Sequence, residues 1–174
     1  VALYPILKEF GVINEKEWEN WGKKNKNSIL RVFGNTSIPG IDATSGSLGH
    51  GLGVGCGLAY LYEKKNIDKK VYVVISEGEL YEGSTWEALL FAAHHNLKNL
   101  NIIIDENSLI ILGKTEDCLK LDPIKKKIEG FGFNVHQVDG HNTDDLEKAF
   151  IEETNNTKVI LAKTVKGKGF SIME

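Results

Sequence analysis

At 174 residues, 41% hydrophobic and 26% charged, the chain suffices for one α/β domain with a sizeable core and is too short for two. A formal net charge of −3 gives no electrostatic footprint for nucleic acid or an anionic membrane. No apolar run reaches the roughly 18 residues that span a bilayer, and Cys56 and Cys118, far apart and outside any CxxC pair, point to a reduced, cytoplasmic setting. In chain order, Ala2 to Phe10 and Glu15 to Trp21 read as short helices, followed by a polar loop from Lys23 to Thr44 punctuated by Gly and Pro. A long helix is predicted from the turn Thr44-Ser45-Gly46-Ser47-Leu48-Gly49 to about Lys65. Its first half holds Gly51, Gly53, Gly55 and Gly57, each costing roughly 0.8–1 kcal/mol against alanine. Close backbone approach, to a neighbouring element or to a ligand, has to compensate. Val71 to Ile75 and Asn101 to Asp105 read as fully buried strands, apolar and β-branched on both faces. Between them Trp86, Leu89, Leu90, Ala93 and Leu97 recur at helical spacing. A helix from Pro123 to Phe131, a strand from Phe133 to Val138, a helix from Asp144 to Thr154 and a strand from Lys158 to Val165 complete the pattern. Alternating strands and helices predict an α/β fold with a doubly wound parallel sheet.

In an open parallel sheet, ligands bind outside the carboxyl ends of the strands, at a switch point in strand order. Two polar clusters stand at such ends: Ser76-Glu77-Gly78 after one strand and Asp105-Glu106-Asn107 after the next. Right-handed βαβ geometry lays those two loops side by side. A carboxylate oxygen, an amide oxygen and a backbone carbonyl would make three hard ligands. Such a set suits Mg²⁺, which takes its remaining ligands from phosphate and water. Gly78 would admit phosphate close to the main chain, and the helix start near Ser84 adds a positive dipole end. The bland alternative is that Glu77 is only a turn or helix cap.

The stretches PGIDATSGSLGHGLGVGCGLA, SEGELYEGSTWEALLFAAHHNLKNL, DENSLIILGKTED, FGFNVHQVDGHN and KTVKGKGFSIME together resemble the diphosphate-binding half of the transketolase family. The resemblance is to the separate N-terminal subunit of a split, two-chain transketolase-like enzyme. It implies a single thiamine-diphosphate-binding domain over residues 1–174, with thiamine diphosphate and Mg²⁺ as cofactors. The start at Val1, without methionine, and the end at Glu174 fit a chain lacking native N- and C-terminal segments. Glu77 precedes Asn107 by 30 positions, similar to the spacing between the family's metal aspartate and asparagine. By that resemblance Glu77, Asn107 and the Leu109 carbonyl ligate the metal. Gly46, Ser47, Leu48, Ser76, Gly78, Glu79 and Ile111 join them around the cofactor. Glu82 matches a catalytic glutamate in a chain of acidic groups between paired active sites. The implied activity is transfer of a two-carbon ketol unit between sugars or sugar phosphates. The implied partner is a pyrimidine-binding C-terminal subunit, in a homodimer or heterotetramer, and no stretch here resembles that domain. The isolated chain is therefore expected to be half an active site and inactive.

Three departures qualify the match. Glu77 replaces an aspartate, Ser76 replaces a glycine, and Arg31-Val32-Phe33-Gly34-Asn35 has no histidine where the family carries one, which points to an unusual sugar. A catalytically silent homologue with a regulatory or structural role is the alternative. A nicotinamide-binding domain is weaker, since Gly51-Leu52-Gly53-Val54-Gly55-Cys56 fails the GxGxxG pattern at its last position. The remaining candidates take modest roles. His94-His95 lack a third ligand nearby, and His50 suits packing or a hydrogen bond. His141 is either a loop cap or a substrate contact. Lys166-Gly167-Lys168-Gly169 is either a phosphate holder or a solvated turn.

Overall fold

The computed structural model describes residues 3–23, 28–30 and 34–173, which fall into two compact units, Val1–Ser47 and Leu48–Glu174. The stretch Arg31-Val32-Phe33, with its missing histidine, lies outside the described residues, as do Ala2 and Glu174. In the first unit the two expected helices form as α1 (Leu3–Glu9) and α2 (Glu15–Asn20). The Asn14 side chain caps α2 by accepting the Glu17 N–H at 2.9 Å, satisfying one of the donors that a helix start leaves unpaired. Tyr4, Leu7, Ile13, Leu30 and Ile38 form this unit's core, with the rings of Trp18 and Trp21 against it.

The second unit alternates as expected. Helix α3 (Gly51–Lys64) leads to β1 (Val71–Ser76), a 3₁₀ turn (Glu77–Tyr81), α4 (Gly83–His95) and β2 (Leu100–Glu106). A hairpin of β3 (Leu109–Ile110) and β4 (Gly113–Lys114) and the short α5 (Thr115–Cys118) come next. Then follow α6 (Ile124–Glu129), β5 (Asn134–Asp139), α7 (Thr143–Ile151) and β6 (Lys158–Lys163). The four long strands pair in parallel in the order β1-β2-β6-β5. Alternation along the central strands sorts the core. Ile102, Ile104, Val159 and Leu161 face α3, α4 and α6, whereas Ile103, Ile160 and Ala162 face α7. Helices on both faces make the sheet doubly wound. No helix among the described residues is long and apolar enough to cross a membrane.

Of the two strands expected to be buried on both faces, only β2 is. In β1, Tyr72 is 54% exposed and Val74 72% exposed. β1 is the sheet's edge, and the α7 face is covered by one helix, which packs chiefly on β5. A β-branched apolar run therefore does not by itself distinguish an edge strand from a central one. The 3₁₀ turn, the hairpin and α5 were not legible in the pattern, because none is long enough for an apolar periodicity to repeat.

The glycines of α3 divide by environment. A Cβ on Gly55 would lie 2.3 Å from Val73 Cγ2, so this residue is glycine because helix and strand meet there. Gly51, Gly53 and Gly57 face open space, with nothing within 4 Å of an added Cβ. A stiff valine cannot yield, so Gly55→Ala is expected to destabilise the chain by about 1–3 kcal/mol. Gly57→Ala is expected to be neutral or to stabilise by up to about 1 kcal/mol through helix propensity. Urea titrations of both variants check this, and equal effects would contradict the contrast.

Candidate functional site

The site begins with the parallel pairing of β1 and β2, whose register sets Ser76 opposite Asp105. The chain leaves both strands at the same edge, and the two loops meet. Glu77, 3% exposed, opens the 3₁₀ turn, and its Oε2 accepts the Ser108 N–H at 2.8 Å. Ser108 presents that N–H from a left-handed conformation (φ +60°), unusual for a residue other than glycine. The strained turn is held from within as well: Asn107 Oδ1 accepts the Leu109 N–H at 3.0 Å. Asn107 Nδ2 donates to Asp105 Oδ2 at 2.8 Å. Since a carboxylate only accepts, this bond assigns the two ends of the Asn107 amide.

The hairpin fixes the state of the next oxygen. Thr115 N–H donates to the Ser108 carbonyl at 3.1 Å, and Leu109 pairs with Lys114. Pairs in an antiparallel ladder alternate between bonded and non-bonded, so the Leu109 carbonyl is not taken up by the ladder. Ile111, fully exposed, stands with Leu112 at the hairpin tip. Gly78 lies beneath the hairpin: a Cβ there would sit 3.5 Å from Ile110 Cγ2.

The 3₁₀ turn is braced against the start of α3. Glu79 Oε2 accepts the Gly49 N–H at 3.1 Å, and the Ser84 hydroxyl donates to the Gly49 carbonyl at 3.0 Å. Thr85 Oγ1 donates to the Glu79 carbonyl at 2.7 Å and Trp86 Nε1 to the Leu80 carbonyl at 2.8 Å. Gly49 has φ +80°, and an added Cβ would meet Ser84 Oγ at 2.4 Å, so glycine is required there on two counts. These bonds bring the half-exposed Leu48 to the same end as Glu79. Glu82, exposed, occupies the residue before α4. The Tyr81 hydroxyl donates to the Leu119 carbonyl at 2.7 Å, tying the turn to the end of α5. Burial pushes the Tyr81 phenol up, helped by the neighbouring Cys118 and Glu77 and opposed by the Leu119 hydrogen bond.

Of the residues singled out from the sequence, Ser76, Glu77, Gly78, Glu79, Asn107 and Leu109 therefore come together at one sheet edge. Gly46 (φ +127°) and Ser47 belong to the first unit and are exposed there. His141 Nε2 accepts the Val165 N–H at 2.8 Å, a loop-fastening bond. His94 and His95 stack edge-on to each other, and His95 lies against Tyr60 and Phe91, an aromatic cluster rather than a ligand set. His50 is exposed at the start of α3 without a side-chain cap bond. Thr164 and Ser108 were missed, and Asp105 was named only as part of its strand-end cluster. Thr164 Oγ1 donates to Asp105 Oδ1 across 59 positions of sequence, a pairing that no local pattern announces.

The donor set fits a hard divalent cation. Glu77 is a buried carboxylate with one hydrogen bond and no Lys, Arg or His nitrogen within ion-pair distance among the described residues. Burying such a charge without a counter-charge is costly. Asn107 Oδ1 retains a second lone pair, and the Leu109 carbonyl is unused by the ladder. Two oxygen side chains and a carbonyl, with no sulfur or imidazole, are what Mg²⁺ prefers.

Residues 33–173 match the family model for the transketolase thiamine diphosphate binding domain. The chain is 40% identical to an apulose-4-phosphate transketolase subunit of Actinobacillus succinogenes, over 98% of this chain and 62% of that protein. It is 36% identical to the protein of the same name from Phocaeicola vulgatus, over 99% and 62%. The crystal structure of transketolase from Campylobacter jejuni superposes with a TM-score of 0.70 at 30% identity, covering 74% of this chain and 22% of that one. The chain thus spans about 62% of the length of the Actinobacillus and Phocaeicola relatives.

In the cofactor-free chain, Glu77→Gln keeps an oxygen for the Ser108 N–H and removes the uncompensated charge. Its melting midpoint is expected to equal or exceed that of the unsubstituted chain. A clearly lower midpoint in differential scanning calorimetry would mean that the charge itself stabilises the fold.

Proposed function

Since the chain belongs to the transketolase family, matching its thiamine-diphosphate-binding domain, we propose that it anchors the diphosphate and Mg²⁺ of a transketolase-like enzyme. That enzyme would move a two-carbon ketol unit between sugars or sugar phosphates. One observation carries the reading: the buried Glu77 carboxylate reaches across two strand ends to the Ser108 N–H at 2.8 Å. This contact brings the Glu77 carboxylate to the short loop that carries Asn107 and the Leu109 carbonyl. Glu77, Asn107 and Leu109 would hold the metal, while Ser76, Gly78, Glu79, Leu48 and Ile111 would line the cofactor. Bound thiamine diphosphate supplies the electron sink for carbon–carbon cleavage of a ketose.

The chain's own groups supply anchoring and order. Glu77 contributes the charge that offsets the cation in a site screened from water. Ser108 holds that carboxylate in place, and Gly78, without a side chain, would let the diphosphate approach the main chain of the 3₁₀ turn. Ile111 and Leu112, exposed on the hairpin, offer an apolar surface for a ring. Glu82, exposed before α4, would carry protons as one of a series of acidic groups.

Proton removal from the cofactor is assigned to a pyrimidine-binding partner chain. The relatives in Actinobacillus succinogenes and Phocaeicola vulgatus are each named as one subunit of a transketolase, which supports a separate partner. A groove of about 570 Å³ between α3 and α4, floored by Gly53 and Gly57 and edged by Val54 and Phe91, offers the face for a homodimer or heterotetramer.

Calorimetric titration with thiamine diphosphate tests the anchoring role. Affinity is expected to require Mg²⁺ and to fall substantially in Asn107→Ala, which removes one oxygen ligand. Glu77→Asp, one methylene shorter, gives up the reach to Ser108 and is expected to bind more weakly. Unchanged affinity in Asn107→Ala would sink the metal assignment. In a coupled ketol-transfer assay the chain alone is expected to be silent and the pyrimidine-domain partner to restore turnover. General acid–base steps of that kind are worth roughly 10²–10⁴ in rate. Turnover by the chain alone refutes the half-site reading, and silence with partner present favours a catalytically silent homologue.

A further inference from the structure

An asparagine ligand has a weakness that a carboxylate lacks. Its amide can turn by half a rotation, and the turned amide presents hydrogens to the cation instead of an oxygen. Whatever decides that orientation decides whether a metal site exists. Here a chain of contacts reaches Asn107 from the opposite side of the sheet edge. Gly140 stands so close to the end of β6 that a Cβ would lie 2.6 Å from Thr164 Cγ2 and 2.9 Å from the Lys163 carbonyl. The Thr164 methyl thus fills the space left by the missing side chain, and the Thr164 N–H donates to the Glu106 carbonyl at 3.1 Å. The Thr164 hydroxyl donates to Asp105 Oδ1. Asp105 Oδ2 takes Asn107 Nδ2 at 2.8 Å. The Asn107 oxygen is left on the Leu109 N–H, while the adjacent Ser108 N–H goes to Glu77. The oxygens of Asn107 and Glu77 therefore sit on adjacent peptide groups.

We propose that Asp105, fixed by Thr164, is the positioning residue that keeps the Asn107 amide oxygen on the cation side. This inference rests on the metal-site reading above. Both oxygens of Asp105 are occupied, one by each neighbour, so its carboxylate cannot turn without breaking a bond. A carboxylate accepts and never donates, so it admits only the nitrogen end of the amide. Replacing it with an amide removes that discrimination, because either end of Asn107 then finds a partner. The Thr164 hydroxyl acts one step further out, and its methyl, not its hydroxyl, meets Gly140.

The test titrates Mg²⁺ into the chain with saturating thiamine diphosphate, read by calorimetry, with circular dichroism to verify folding. Asp105→Asn and Thr164→Val are expected to weaken Mg²⁺ about 10–100-fold, the usual effect of removing a group that orients a ligand. Thr164→Ser, which keeps the hydroxyl, is expected to retain the affinity. In the Asn107→Ala background, Asp105→Asn and Thr164→Val are expected to cost nothing more, since the group they orient is gone. A merely structural role would still weaken binding in that background. If Asp105→Asn fails to fold, the Thr164→Val and Thr164→Ser pair decides. Weak binding in Asn107→Ala with full affinity in Asp105→Asn and Thr164→Val overturns the inference and leaves the metal site standing. Full affinity in Asn107→Ala, or no binding by the unsubstituted chain, overturns the site and the inference together.

Discussion

A carboxylate buried at the seam between two parallel strands is the constraint on which the rest of this structure depends. Glu77 can leave water only because the Ser108 N–H meets it, and that N–H is available only because Ser108 adopts a left-handed backbone. The turn around Ser108 is closed in its own right by the Asn107 oxygen and by Thr115. One hydrogen bond is modest compensation for a charge, worth about 1.5–3 kcal/mol when one partner is ionised. A fold that keeps such a charge for stability alone would gain little from it. Its retention makes sense where a cation completes the balance.

Around that seam the chain uses its glycines for proximity. Gly49 lets the start of α3 sit against Ser84 and Glu82, where a side chain would collide. Gly55 lets α3 lie directly on Val73 of β1. Gly140 lets the β5–α7 loop close over Thr164. At Gly49 and Gly140 the approach lets a polar group be held by a neighbour distant in sequence, whereas at Gly55 it serves apolar packing alone. The open glycines do something different: Gly53 and Gly57 line a groove between α3 and α4. Glycine content alone does not separate these two uses, because the difference lies in what stands opposite.

The candidate site was legible in part. Glu77 and Asn107 were found because each follows an apolar run, and a polar residue at a strand's carboxyl end points to the ligand edge of a parallel sheet. Their meeting also followed from the short right-handed connection between adjacent parallel strands. Asp105 was noticed only as a member of the strand-end cluster, without a role of its own, because its bond to Thr164 is invisible in linear order. Thr164 had no signal at all, since nothing about a threonine after β6 foretells a contact with β2. The hairpin at Leu109–Lys114 was missed because two-residue strands show no period, and it determines that the Leu109 carbonyl is available. Val74 reads as core by composition and stands in solvent on the edge strand.

From the sequence alone came the alternation of strands and helices, hence the doubly wound sheet, and the two acidic or amide residues poised at its edge. The same sequence identified the family through extended motifs, because motif spacing is preserved in linear order. The strand order β1-β2-β6-β5 was decided only in three dimensions, and with it which strand lies at the edge, since pairing depends on long-range contacts that periodicity does not encode. So was the orientation of the Asn107 amide. That orientation is the outcome of bonds from Asp105 and Thr164, groups whose nearness exists only after β2 and β6 pair.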